Sequence, residues 1–143
     1  MQLALVTGGS RGIGRATSLL LASRGYRVAV NFRSRASEAH QVVDEIVRNG
    51  GEAFSVQADI SDETQVMSLF QRLDQEDLPF TLLVNNAGIL FQQCRLEQLD
   101  ASRIQQVFAT NVLGAFLCCR EAVLRMGTHH GGQGGSIVNV SSA

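Results

Sequence analysis

The chain has 143 residues, of which 45% are apolar and 17% charged, with 14 glycines and 1 proline. This length and composition predict one compact globular domain, and they exclude a disordered chain and a mini-protein scaffold. Twelve basic residues, all of them arginine, and 13 acidic residues give a net charge of -1. A nucleic-acid or anionic-membrane partner is therefore not expected.

The cysteines and histidines carry no metal or disulfide pattern. Cys94, Cys118 and Cys119 are odd in number and two of them are adjacent, which favours reduced, packed thiols. His129 and His130 are adjacent and cannot share one helix face, so no metal site is expected. No apolar run approaches the roughly 20 residues that cross a bilayer, and no signal peptide is recognisable at the start. We therefore expect a cytoplasmic protein.

Short apolar runs alternate with longer segments of helical periodicity, which predicts βαβ units and a parallel sheet covered on both faces. The runs are apolar at consecutive positions, as in strands buried on both faces. The five predicted strands are residues 3–6, 28–31, 53–57, 82–85 and 137–140.

Three apolar stripes predict amphipathic helices between the strands. They are Val42, Val43, Ile46 and Val47; Val66, Leu69, Phe70 and Leu73; and a stripe of more than twenty residues from Ile104 to Met126. Ser61 is the expected N-cap of the second of these helices, and Gly25 and Gly50 are the expected ends of the first two helices in the chain. The glycine-rich residues 127–135 predict a flexible surface loop.

A glycine-rich loop, Thr-Gly-Gly-Ser-Arg-Gly-Ile-Gly at residues 7–14, joins the first strand to the first helix. Gly8 can form the tight turn, Gly12 lets the backbone approach a pyrophosphate, and Gly14 permits close packing of helix on strand. A Walker loop is excluded because the chain has no lysine. A tight βα turn without a ligand remains the structural alternative.

Four ordered motifs resemble those of the classical short-chain dehydrogenase/reductase family. They are the glycine loop, Asn-Asn-Ala-Gly at 85–88, Asn-Val-Leu-Gly at 111–114 and Ile-Val-Asn-Val-Ser-Ser at 137–142. The chain looks closest to bacterial members that resemble 3-oxoacyl carrier-protein reductases and glucose dehydrogenases. The resemblance implies a single Rossmann-type domain over residues 1–143, in which helices cover a doubly wound parallel sheet of strand order 3-2-1-4-5 on both faces.

The resemblance also implies the site residues and the reaction, a hydride transfer between a nicotinamide cofactor and a carbonyl or alcohol substrate. The diphosphate is expected at the glycine loop, the adenine at Asp59 and Ile60, and the adenine ribose above residues 86–88. The residues expected to bind the cofactor are Gly8, Ser10, Arg11, Gly12, Ile13, Gly14, Arg33, Ser34, Asp59, Ile60, Asn86, Ala87 and Gly88.

The end of the second strand predicts NADP(H) rather than NAD(H) as cofactor. NAD-selective dehydrogenases place a carboxylate there, whereas this chain has Asn-Phe-Arg-Ser-Arg at residues 31–35. Arg11, Arg33 and Ser34 can instead surround a 2′-phosphate, because arginine offers it bidentate charge-assisted hydrogen bonds. The alternative is that Arg33 and Arg35 are merely exposed.

The catalytic pattern implied by the resemblance is Asn, Ser, Tyr and Lys, and only its first two members have matches here. Asn111 would hold a water through its backbone carbonyl, and Ser142, with Ser141 as the competing candidate, would bind the substrate carbonyl. The only tyrosine is Tyr26, and lysine is absent. We expect a fragment of a longer homodimeric or homotetrameric oxidoreductase, inactive and aggregation-prone alone; the alternative is a non-enzymatic dinucleotide-binding or scaffold protein.

Overall fold

One parallel sheet organises the chain, of which the computed structural model describes residues 1–142. The strands are β1 (Gln2–Val6), β2 (Tyr26–Phe32), β3 (Glu52–Gln57), β4 (Phe80–Asn85) and β5 (Ser136–Asn139). Their order is β3-β2-β1-β4-β5 and every pairing is parallel, which confirms the predicted topology. The strand ends differ from the predicted ones by at most two residues.

Helices cover both faces of this sheet, as predicted. They are α1 (Gly12–Ser23), α2 (Ala36–Arg48), α3 (Glu63–Leu73), α4 (Ala101–Phe108) and α5 (Ala115–Met126), and a π-helical turn, Ala109–Gly114, joins the last two. Short 3-10 turns occupy Leu96–Gln98 and Thr128–His130. Gly25 and Gly50 follow the ends of α1 and α2 with φ of 87° and 83°, the left-handed conformation predicted for them.

The core consists of two apolar layers, one on each face of the sheet. Successive residues of β1 point to opposite faces, so Leu3 and Leu5 pack in the layer under α3 and α5, whereas Ala4 and Val6 pack under α1 and α2. Burying each of these leucines contributes about 1.5–3 kcal/mol relative to an exposed position. The two layers hold the strand ends, and therefore the loops that follow them, in fixed positions.

The predicted helix stripes were mostly correct. All four stripe residues of α3 are buried, whereas in α2 the last one, Val47, is 56% exposed because it lies on the outer face of the helix. The predicted N-cap, Ser61, was wrong. The helix begins one residue later than expected, and Asp62 caps it by accepting a hydrogen bond from the Gln65 backbone N–H at 3.2 Å.

The long stripe predicted from Ile104 to Met126 lies on one continuous helical segment, α4 to α5, whose outward face is apolar. Phe108 and Phe116 are 60% and 72% exposed, and they are flanked by further exposed apolar side chains. Residues 101–126 are long and apolar enough to cross a bilayer, contrary to the sequence-based expectation. That finding is weak evidence for a membrane span, because the sheet-covering helix of a globular domain passes the same test.

The glycine-rich residues 127–135 form a hydrogen-bonded surface turn. The N–H of Gly134 donates to the Met126 carbonyl at 2.8 Å, and the N–H of Gly132 donates to the Gly127 carbonyl at 3.0 Å. Beyond this turn, β5 forms the predicted edge of the sheet, and its Val138 is 47% exposed. The turn before β5 lies at the amino ends of the strands. The loops that follow β1, β2, β3 and β4 lie at the other edge of the sheet, at the carboxyl ends of the strands, and the candidate site is there.

Candidate functional site

The glycine loop crosses the carboxyl end of β1, where the chain switches from one side of the sheet to the other. Gly8 and Gly12 have φ of 60° and 55°, a region that residues with a side chain rarely adopt. A Cβ atom added to Gly12 would meet nothing within 4 Å. The backbone at Gly12 is therefore open to a ligand, directly at the start of α1 with its unpaired amide groups.

Gly14 has a different role, because it packs α1 against the loop. A Cβ atom there would overlap the carbonyl oxygen of Gly8 and the side-chain amide of Asn86. That amide donates to the carbonyls of Thr7 at 3.1 Å and Gly8 at 3.0 Å. Asn86 thus joins the glycine loop to the end of β4, and glycine at position 14 leaves the space that these two hydrogen bonds need.

Thr7, which sequence reasoning did not single out, completes this attachment. Its side chain is fully buried, and its hydroxyl oxygen accepts hydrogen bonds from the backbone N–H groups of Asn86 and Ala87, each at 3.0 Å. A hydroxyl residue directly after a buried apolar strand was the available signal, since a buried polar group needs hydrogen-bond partners.

Asn31 attaches the glycine loop to the strands on the other side of β1, and sequence reasoning also missed this structural role. It is 2% exposed, accepts from the Gly8 N–H at 3.3 Å, and donates to the carbonyls of Val56 and Ala58, both at 3.2 Å. A single polar residue inside the apolar run of β2 was the signal for it. The ends of β1, β2 and β3 are therefore tied together by one amide side chain.

These loops enclose a cleft of about 540 Å³. Every residue predicted to bind the cofactor lines it except Gly14, which lies behind the loop. The cleft is also lined by residues that the sequence did not single out as cofactor-binding, namely Asn31, Phe32, Arg35, Ala58, Ile89 and Thr110.

The carboxylate of Asp59 is held at the end of β3 by donors from the protein itself. One oxygen accepts from the backbone N–H of Ser61 at 3.0 Å and from its hydroxyl at 2.7 Å, and the other lies 3.2 Å from Nε of Arg33. Ser61 therefore serves Asp59 rather than capping α3. The Arg33–Asp59 pair joins the ends of β2 and β3 across the cleft lining.

Three arginines from two loops make this end of the cleft positive. Arg33 is paired with Asp59, and Arg35 lies 3.0 Å from Glu38. Arg11, in the glycine loop, has no carboxylate within 4.0 Å among residues 1–142 and is exposed. Arg11 is consequently the cation in this group that is most available to an anionic ligand.

Asn111 lies in the π-helical turn between α4 and α5, and its side chain binds a neighbouring loop. Its Oδ1 accepts from the Ile89 N–H at 2.7 Å, and its Nδ2 donates to the Ile89 carbonyl at 2.9 Å. The π-helical turn interrupts the regular i to i−4 pattern, an arrangement often found at functional sites. The side chain is thus committed to the loop after β4.

Ser142 and Tyr26 do not lie with the residues that line the cleft. Ser142 follows β5 and is exposed, and within residues 1–142 neither it nor Asn111 lines the cleft. No hydrogen bond joins Ser142 to Asn111 in that range. Tyr26 begins β2 and therefore lies at the amino edge of the sheet, away from the glycine loop. Proton transfer by this tyrosine at the cleft is excluded by position.

Comparisons with known proteins agree with one another. A family model described as short chain dehydrogenase matches residues 2–143. The chain is 61% identical over 142 residues to YgfF of Escherichia coli strain K12, an uncharacterised oxidoreductase, with 99% of this chain and 58% of the relative covered. It is 40% identical over 141 residues to a 3-oxoacyl-[acyl-carrier-protein] reductase of Synechocystis, with 99% and 56% covered.

Solved structures share the fold closely. A metagenomic short-chain oxidoreductase in complex with NADP superposes with a TM-score of 0.91 at 32% identity, covering 99% of this chain and 62% of that one. A double mutant of a Serratia marcescens short-chain dehydrogenase/reductase gives a TM-score of 0.90 at 30% identity, with 99% and 56% covered. The chain spans little more than half the length of the curated relatives it matches.

Proposed function

Since this chain belongs to the short-chain dehydrogenase family, we propose that it forms the cofactor-binding part of an oxidoreductase that transfers hydride between NADP(H) and a carbonyl or alcohol substrate. Residues 1–143 then constitute one dinucleotide-binding domain. The observation that carries the proposal is the cleft at the carboxyl edge of the sheet, with an open glycine loop that includes Arg11 at one wall, and with Arg33 and Arg35 after β2.

The cleft fits a dinucleotide on the evidence of its own backbone. The open space beside Gly12 admits a pyrophosphate to the start of α1, where backbone N–H groups and the helix dipole favour an anion. Ser10, Ile13 and Gly8 flank this position, and Ile60, Ala87 and Gly88 provide an apolar and backbone surface for an adenosine. When bound, a nicotinamide dinucleotide supplies or accepts the hydride.

The other roles belong to residues at the nicotinamide end of the proposed site. Asn111 orients the loop after β4 through Ile89, and its backbone carbonyl, in the π-helical turn, is the proposed acceptor for an ordered water. Ser142 is the proposed donor to the substrate carbonyl. A positioned acid contributes about 10²–10⁴ in rate. Because Tyr26 is remote and lysine is absent, the proposed reaction needs an acid from outside these 143 residues.

The preference for NADP(H) follows from charge. The end of β2 offers no carboxylate to accept the hydroxyls of an NAD ribose, whereas Arg11, Arg33 and Ser34 line the cleft beside it. A 2′-phosphate gains charge-assisted hydrogen bonds from arginine. Arg11 makes the largest contribution, because it gives up no ion pair on binding.

Titration of the full-length protein with NADPH and NADH tests this proposal. We expect NADPH to bind more tightly, and Arg11→Gln to weaken it about tenfold, the lower part of the range for a hydrogen bond to a charged group, with NADH affected little. Arg24→Gln is the matched control, since Arg24 follows α1 away from the cleft and also lacks a carboxylate partner within residues 1–142. Equal or tighter binding of NADH would contradict the proposal.

We also propose that the full-length protein is a cytoplasmic homodimer or homotetramer that associates through the apolar face of α4 and α5. Phe108, Val112 and Phe116 lie on this face and are exposed, and exposed apolar patches of this kind mark interfaces. Light scattering after size-exclusion chromatography is the measurement. Phe116→Glu should reduce the oligomer to smaller species, and a monomeric unsubstituted protein would refute the proposal.

A further inference from the structure

A second groove, of about 460 Å³, continues the dinucleotide cleft past the end of β2. Ser10, Arg11, Gly12 and Arg35 line both, so the two share a wall formed by the glycine loop and the residue preceding α2. Arg35 belongs to the junction, because it precedes the first residue of α2 and faces both spaces. A group that extends from a ribose in the first cleft can therefore enter the second groove.

The second groove is rich in positive charge. It is lined by four arginines and two glutamates, namely Arg11, Arg15, Arg35, Arg48, Glu38 and Glu45. Glu38 pairs with Arg35 and Glu45 pairs with Arg15. Within residues 1–142, no carboxylate lies within 4.0 Å of the other two arginines. Anions are attracted to this surplus, and an anion that binds Arg35 competes with Glu38 for its charge, since Nη1 of Arg35 already contacts that carboxylate.

Glu38 depends on Arg35 for its own stabilisation. One of its carboxylate oxygens lies 3.0 Å from Nη1 of Arg35. Its second oxygen is shielded from solvent and receives no hydrogen bond from any residue in 1–142. A carboxylate with one shielded, unpartnered oxygen is disfavoured unless a cation is close. Arg35 is the N-cap residue of α2 and Glu38 follows three residues later in the first turn, a spacing that keeps their side chains together.

From this arrangement we propose that Glu38 is a specificity-determining residue, which lowers the preference for NADPH by competing with the 2′-phosphate for Arg35. The inference rests on the proposed function. A 2′-phosphate that recruits Arg35 separates it from Glu38 and brings negative charge next to that carboxylate. NADH has a hydroxyl at this position and makes no such demand. Glu38 therefore weakens binding of one cofactor and leaves the other unaffected.

Calorimetric titration of the full-length protein with each cofactor tests the proposal through binding alone. Glu38→Gln should tighten NADPH binding about two- to fivefold, the range that corresponds to an exposed ion pair, and leave NADH unchanged. The gain should shrink at high ionic strength, because the competing charges are exposed. Arg35→Gln should weaken NADPH binding, and in the Arg35→Gln background the effect of Glu38→Gln should disappear.

Glu45→Gln is the matched control, since it removes the same charge from the same groove. Its partner Arg15 lines only the second groove and not the dinucleotide cleft, so the affinity for NADPH should change less than in Glu38→Gln. An equal gain in Glu45→Gln, or no gain in Glu38→Gln, would overturn the proposal. So would a selective loss of NADH binding in Glu38→Gln, which would assign Glu38 to the ribose. Failure of the unsubstituted protein to bind either cofactor would instead refute the proposed function on which it rests.

Discussion

The hydroxyl of Thr7 holds the glycine loop to the end of β4, and Thr7→Val removes this hydroxyl while keeping the branched shape. The substitution leaves the N–H groups of Asn86 and Ala87, each 3.0 Å from the hydroxyl oxygen, without an acceptor. The bond that the hydroxyl donates to Val84 is 3.4 Å long and contributes little. The loss of stability therefore comes from two backbone N–H donors that have lost their acceptor.

The magnitude follows from the burial of these groups. A buried donor without a partner costs about 1–3 kcal/mol, and Asn86 and Ala87 are half-buried, so the lower part of that range applies to each. We expect Thr7→Val to lower the free energy of unfolding by about 2–3 kcal/mol. Thr7→Ser is the control, because it keeps the hydroxyl and loses one buried methyl group, worth about 1 kcal/mol.

Urea unfolding at fixed protein concentration, followed by circular dichroism, measures the two free energies. We also expect Thr7→Val to weaken dinucleotide binding more than Thr7→Ser, since the N–H groups that it releases belong to the cleft lining. If both variants are equally destabilised, the two hydrogen bonds do not carry the stability assigned to them and the reasoning is refuted.

Three further predictions concern packing, pH and thiol reactivity. Gly14→Ala should lower the melting temperature and abolish dinucleotide binding, because its Cβ overlaps the Gly8 carbonyl; retention of both would contradict the close packing. Hydrogen bonds from Gln65 hold the pKa of Asp62 below its usual 3.8, so the stability it adds is present above that value and lost as the pH falls through the lowered pKa. Asp62→Asn should flatten this part of the pH–stability curve, measured by unfolding between pH 2 and 5. Burial raises the pKa of Cys118 to about 12, with neighbouring Cys119 and Glu121 adding to the effect, so at pH 8 a thiol reagent should modify exposed Cys94 and spare Cys118, as mass spectrometry of the native protein can show.

The sequence was sufficient to predict the sheet but not the side-chain hydrogen bonds that join its strand ends. Buried strands are visible as apolar runs, because burial on both faces requires apolar residues at every position. The hydrogen-bond partners of Thr7 and Asn31 were not predictable, since they lie on strands distant along the chain and depend on how the sheet is assembled. The Arg35–Glu38 ion pair could have been predicted from the three-residue spacing of its members. The carboxylate oxygen of Glu38 that lacks a hydrogen bond can be recognised only in the three-dimensional structure.

The π-helical turn and the helix start at α3 were missed for a related reason. The apolar periodicity from Ile104 to Met126 is compatible with an uninterrupted α-helix, and only the bonds between Asn111 and Ile89 identify the irregular turn as part of a larger arrangement. At α3, Ser61 and Asp62 are both good capping residues. The choice between them depends on Asp59, which engages Ser61 through both its N–H and its hydroxyl.

Asn31 gives the end of β2 an anchorage that does not involve the side chains of residues 33–35. Its amide joins Gly8 to the carbonyls of Val56 and Ala58 inside the protein, whereas the side chains of Arg33 and Arg35 are exposed at the cleft. Substitutions at these exposed positions should therefore leave the cleft folded, and under the proposed function they can change the cofactor preference. Asn31 itself has no such freedom, because replacing its buried amide would remove the hydrogen bonds that join the ends of β1, β2 and β3.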